Sequence, residues 1–297
     1  MADLSHLNIL KQGTYVWLTW RKDHPGIRPD LSGVDLSRID LTATDMIGTE
    51  LEGIAVNFQN ADLRGANLSK SLLRVDLSGA DLREADFRGS TLDHVGFTGA
   101  DLRGAKLDNV DLRGAFMGGV NLSGQDLSER DLENIDLNQA NLGGTNLKNA
   151  NLRGANLFRV QFEEAILTGA NLSHAILNET ILSNMDLKGT LLVKASLVAA
   201  KLSHADLSEV NLSEADLYFA ELRKACLQRA YLRKTYLAEA NLSEADLREV
   251  NLSNAYLYKT NLVGANLSKA FLKGAFTREA DFTNADLTGA DVTNIEN

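Results

Sequence analysis

The chain has 297 residues, 44% of them hydrophobic, and 30 Lys and Arg against 40 Asp and Glu give a net charge of −10. A single cysteine, Cys226, excludes an intramolecular disulfide framework, and an acidic chain without a basic stripe is not expected to bind nucleic acid directly. No stretch approaches the roughly 18 apolar residues of a membrane span, and the N-terminus lacks a basic region followed by an apolar run, so a cytoplasmic location is the expectation.

Residues 1–28 read as a helical lead. Over Asp3–Lys22, Leu7, Leu10, Trp17 and Trp20 fall roughly on one side, with Leu4 and Leu18 near it. Asp3 is placed to cap the segment's start, and Gly13 to divide or kink it. Asp23-His24-Pro25-Gly26 ends it, and Pro29 delivers the chain into a second, longer region. Leu7, Leu10, Trp17 and Trp20 are the candidate cap over the first layer of that region, a partner-binding helix being the alternative.

From residue 29 to 293 the sequence repeats every five residues. From Leu77 to Val292 a leucine or its substitute recurs without interruption, as in Leu77, Leu82, Phe87, Leu92 and Phe97. Two residues before each centre sits a small residue (Ala80, Ala85, Ala100), with Asp or Asn usually between, as in Ala61-Asp62-Leu63-Arg64-Gly65. A helix buries every 3.6th residue and a strand every second, so this period fits neither. It fits a chain that turns a corner after each pentad, with the centre and the minus-two residue inward and three positions outward. The N-terminal pentads run in other registers. Leu31, Leu36, Leu41, Met46 and Leu51 are five apart, as are Phe58, Leu63 and Leu68. The phase changes predict a two-residue bulge near Glu52–Asn57 and a one-residue deletion near Lys70–Arg74.

These Ala-(Asp/Asn)-Leu-X-X pentads resemble the pentapeptide repeat family, its cyanobacterial members in particular. The resemblance implies an all-β solenoid, a right-handed quadrilateral β-helix with four pentads per coil and residues 20 apart stacked. About 53 pentads would give about 13 coils over roughly 60 Å, with a short N-terminal α-helical cap and a tail at 294–297. The family includes rods that dimerise through C-terminal coils, which makes a homodimer of this chain an expectation from the resemblance. It also includes acidic rods that mimic DNA and bind DNA gyrase. Net charge agrees with that alternative, whereas the Arg and Lys on every face and the absence of insertions within 77–292 oppose it.

Outward apolar residues stand against the polar pattern. One face carries Phe116, Phe158, Ile176, Val198, Tyr218, Phe219, Tyr236, Tyr256, Tyr258 and Phe276, and the preceding face adds Leu191, Val193, Tyr231 and Phe271. Tyr218, Phe219, Tyr231, Tyr236, Tyr256, Tyr258, Phe271 and Phe276 form the candidate interface, for an unidentified protein partner or a second copy. Outer aromatics that merely protect the sheet are the alternative. Gln125 and Arg130 occupy inward positions, read as a local distortion or a site, and Thr277 replaces a central leucine. His6, His24, His94, His174 and His204 do not cluster, and no phosphate loop or zinc motif is present, so the expectation is a non-enzymatic protein without cofactor or metal.

Overall fold

The computed structural model describes residues 4–27, 29–31, 36, 38–51 and 56–296. The chain forms two compact units, Met1–Gln125 with Ile135–Leu142, and Asp126–Asn134 with Gly143–Asn297.

The first unit opens with α1 (Leu4–Leu10) and α2 (Thr14–Asp23). Gly13 separates them at φ 102, a left-handed conformation that glycine adopts without a Cβ penalty. Asp3 lies outside the described residues. Trp17 is fully buried, and its Nε1 donates to the Asp45 carbonyl at 2.6 Å. Arg21 is buried as well, and its guanidinium donates to the carbonyls of Ile27 (2.8 Å) and Ile47 (2.7 Å). Both carbonyls thereby gain a charged donor beside the tryptophan. Leu10 is buried and Leu7 and Trp20 are half-buried, whereas Leu4 and Leu18 are exposed. The helical pattern did not signal the burial of His6 or of Arg21; the His6 ring packs on Trp20 at 5.0 Å.

Beyond α2 most of the described pentads share one pattern. The centre and minus-two side chains are usually buried, and the minus-one residue usually bridges in parallel to the next coil. The centre's carbonyl accepts from the amide three residues on, as Leu77 O does from Ala80 N at 3.0 Å. That closes a four-residue turn whose third member has positive φ, such as Gly79 at 68°, the geometry of a type II turn. The minus-one carboxylate or amide completes the corner. Asp76 Oδ1 accepts from Ser78 N at 2.9 Å and Asn211 Oδ1 from Ser213 N at 3.0 Å. This local bond explains the Asp/Asn preference at that position.

Bridges set the coil length directly. Asp40 pairs with Asp62 and Asp45 with Asn67, and β1 (Glu50–Leu51) pairs with β2 (Leu72–Leu73), all at a spacing of 22 residues. Asn57 pairs with Asp76 and Leu72 with Thr91, at a spacing of 19. From Asp76–Gly96 onward the spacing is 20, which is four pentads per coil. The two extra residues therefore fall between Leu51 and Asn57, where residues 52–55 lie outside the described set. The missing residue falls between Leu73 and Asp76, where β2 ends.

In the second unit the 20-residue spacing holds from Asp126–Asn146 to Phe276–Glu296. Leu217, Leu237 and Leu257 are fully buried one above another, with Ala215, Thr235 and Ala255 beside them. The buried Thr235 hydroxyl donates to the Leu212 carbonyl at 2.9 Å, and Thr260 does likewise to Leu237 at 2.8 Å, so these two threonines replace alanine without leaving an unmet polar group. Thr277 keeps the register: it is buried, and its amide donates to Glu296 O at 2.7 Å. At the last coil the centres change state, with Leu287 38% and Val292 45% exposed.

Candidate functional site

In the second unit the minus-one column Asp216, Tyr236, Tyr256, Phe276, Glu296 is joined by successive parallel bridges. Its three aromatics form a ladder. Tyr236 and Tyr256 stack at 4.6 Å with 2° between planes, and Tyr256 and Phe276 at 4.9 Å with 3°. The spacing is that of adjacent strands, so the backbone imposes it. Each ring stands where an Asp or Asn would receive the turn amide, so the aromatic column forgoes a hydrogen bond that its acidic and amide counterparts make.

Tyr218 and Phe219 sit at the corner of the preceding coil and touch at 4.2 Å. Tyr258 lies two coils from Tyr218 in the same column, with Ala238 between them. Lys259 Nζ lies 5.2 Å from the Tyr258 ring centre. Tyr258, ahead of Glu279, holds that ammonium's pKa above its usual value. Tyr231 and Phe271 belong to the neighbouring side and are separated by Asn251, so the structure does not stack them. Of the eight aromatics, all but the half-buried Phe276 are exposed. The apolar outliers Ile166 and Ile181 are exposed on other columns, and Cys226 is half-buried.

Gln125 turns its amide inward and donates to the carbonyls of Leu102 (2.7 Å) and Ala105 (3.0 Å), which accounts for a polar residue at an inward position of the first unit. Arg130 is half-buried, and its amide closes an ordinary turn with Leu127 O at 3.3 Å. Among the described residues no group of three His, Cys, Asp or Glu is arranged to hold a metal ion, and no helix is long and apolar enough to cross a membrane.

The first unit carries a charge ladder. Asp62, Asp81 and Asp101 stack by parallel bridges, and each accepts from the backbone amide, Nε and Nη2 of the arginine two residues on, as in Arg83 Nε and Nη2 to Asp81 at 2.8 and 2.6 Å. Arg64 pairs with Asp62 and Arg103 with Asp101 in the same way, so acid and base balance along this column. Arg64, through its side-chain hydrogen bond and then its amide, lowers the Asp62 pKa to about 2; arginine likewise lowers Asp81 and Asp101. A carboxylate depressed in the folded state binds fewer protons there than when unfolded. Its stabilisation is complete above the ordinary carboxylate pKa and is lost as pH falls through the folded value. Urea midpoints are therefore expected to drop between about pH 4 and pH 2. A triple variant Asp62→Asn/Asp81→Asn/Asp101→Asn keeps the turn acceptors and is expected to show a shallower fall over that range. An equally steep fall would place the acid sensitivity elsewhere. Solvent screens these partly exposed pairs, so the effect is read as a slope.

Sequence comparison matches the profile for pentapeptide repeats over residues 54–92, 71–109, 105–129, 131–157, 225–262 and 260–295, and that for a pentapeptide repeat region over 155–236. The chain is a pentapeptide repeat protein. No curated protein matches it. Among solved structures it is similar to the pentapeptide repeat protein Rfr23 from the cyanobacterium Cyanothece 51142, with 40% identity over 29% of this chain and 58% of that one and a TM-score of 0.29. It thus spans little more than half of that relative. HetL, involved in heterocyst differentiation regulation in the cyanobacterium Nostoc sp. strain PCC 7120, is 27% identical over 94% of this chain and 92% of its own, with a TM-score of 0.27. QnrB1, a plasmid-mediated fluoroquinolone resistance protein, is 16% identical over 84% and 91%, with a TM-score of 0.29. The family grammar accounts for the Ala, Asp/Asn and Leu positions of this pentapeptide repeat protein; the aromatic column departs from it.

Proposed function

We propose that this pentapeptide repeat protein is a non-enzymatic protein-interaction scaffold whose binding face is the aromatic column of its second unit. The observation that carries the reading is the coplanar Tyr236–Tyr256–Phe276 stack at positions where repeat grammar supplies Asp or Asn. Three successive coils give up a turn hydrogen bond and instead present rings to solvent, an arrangement enriched at interfaces. On this reading the coils wind right-handed as in the family, and α1–α2 cover the first of them through Trp17 and Arg21.

Tyr236→Asn/Tyr256→Asn is the decisive variant. Asparagine restores the repeat consensus and the turn acceptor, so thermal stability should stay close to that of the parent. Immobilised wild-type protein should retain a partner, or a second copy by light scattering, that the variant loses. Equal retention by both proteins, with both folded, would sink the reading.

A further inference from the structure

The geometry points to an extended, proline-rich peptide segment bearing a basic residue as the occupant of this face, running along the coil axis of the second unit. The inference rests on the scaffold reading above and names its partner's chemistry.

Three observations carry it. The first is area. Tyr218, Phe219, Tyr236, Tyr256 and Tyr258 are between 36% and 49% exposed. At roughly 200 Å² per aromatic side chain they offer roughly 400 Å², half of the roughly 800 Å² per partner of a standard protein–protein interface. That suits a peptide better than a second folded copy.

The second is pitch. Tyr218 and Tyr258 stand in one column two coils apart, about 9.6 Å at the strand spacing. Between them Ala238, half-buried, leaves a notch with tyrosine on either side. A polyproline II helix brings every third residue to the same side, a repeat of about 9.3 Å. Two successive same-side residues of such a segment would fall on Tyr218 and Tyr258, one on each side of the single Ala238 notch, and aromatic-lined grooves are the usual receptors for that conformation. It also binds with little ordering cost, because it is extended before it binds.

The third is charge. The aromatic column is bracketed by Asp216 and Glu296, four coils or about 19 Å apart. Glu239 follows Ala238 at the corner, while the nearby cations Lys259 and Arg278 are both engaged by Glu279 at 3.8 and 3.6 Å. About six polyproline II residues span 19 Å; Arg278 follows Tyr258 in the notch's own column, so the peptide's arginine belongs at the Asp216 end.

The probe is a fluorescein-labelled heptapeptide, Arg-Pro-Leu-Pro-Pro-Leu-Pro, titrated with the full chain and read by anisotropy. Saturable binding below about 1 mM is expected, weakened at least about tenfold when alanine replaces the peptide's prolines or its arginine. Ala238→Phe is the informative protein variant. It adds apolar surface but fills the notch, so a specific groove loses the peptide about tenfold, whereas general stickiness would gain it. Tyr218→Ser, which opens one wall, should also weaken binding and serves where the first variant disturbs folding by circular dichroism. No saturable binding at 1 mM, undiminished binding to Ala238→Phe, or a concentration-dependent dimer that Tyr258→Ser abolishes would each overturn the peptide assignment. The Tyr236→Asn/Tyr256→Asn comparison would still judge the scaffold reading separately, because it does not depend on what the partner is.

Discussion

Replacing Leu237 by alanine is expected to cost about 2–5 kcal/mol of unfolding free energy, the range for truncating a fully buried leucine into a poorly collapsing cavity. Leu237 is 0% exposed and sits between Leu217 and Leu257, themselves fully buried. Its own amide and carbonyl hold two coils: Leu237 N donates to Tyr256 O at 2.8 Å, and its carbonyl receives the Thr260 hydroxyl. Repeats stabilise one another through nearest neighbours, so the loss should spread to the adjoining coils. The comparison is Leu287→Ala, at a centre of the same kind that is 38% exposed. Removing side-chain carbons that are already partly hydrated should cost under about 1 kcal/mol. Urea denaturation of the two variants checks the contrast. Equal losses would mean that the interior ladder is not the principal source of cohesion.

The second large effect is at a turn. Gly154 has φ 69, and a Cβ there would run into the side-chain oxygen of Asn134 in the coil before it. Gly264 has φ 68, but the nearest atom to its added Cβ is the Glu244 Cγ at 3.8 Å. Both alanine substitutions carry the left-handed penalty of about 1–2 kcal/mol. Gly154→Ala adds a collision with a polar group, for a total of about 2–4 kcal/mol, in line with other backbone-limited substitutions. Adding Asn134→Gly, which removes that side chain at a φ of 58° that glycine tolerates, to Gly154→Ala should recover the excess and bring the pair to the level of Gly264→Ala. If the double variant is no more stable than the single one, the collision is not what destabilises it.

Much of the fold could be read from the sequence because each pentad position answers to one physical demand. Leu237, Thr235 and Tyr236 could be assigned inward, inward and outward from phase alone, and the burial agrees. The phase changes at Glu52–Asn57 and Lys70–Arg74 appear as coils of 22 and 19 residues. Other features left no trace in the period. His6 and Arg21 are buried because of where α1 and α2 lie against Ile27, Asp30, Asp45 and Ile47, and one amphipathic face does not encode a neighbour's carbonyls. The candidate interface looked like one strip when sorted by phase. Ring geometry separates it into the Tyr236–Tyr256–Phe276 stack, the Tyr218–Phe219 pair, and Tyr231 and Phe271 held apart by Asn251. Gln125 looked anomalous because the pattern expects a small residue, and only the positions of the Leu102 and Ala105 carbonyls explain an amide there.

The coil-to-coil ladder has a mechanical consequence. Bonds such as Tyr256 N to Thr235 O and Leu237 N to Tyr256 O lie across the strands, along the direction in which coils of the second unit succeed one another. A pull on the end of the last coil along that direction loads the ladder at its outermost rung while the inner rungs stay slack. The unit would then unzip coil by coil under modest force. Each twenty-residue coil released would pay out about 70 Å of extended chain, leaving the coils behind it in register.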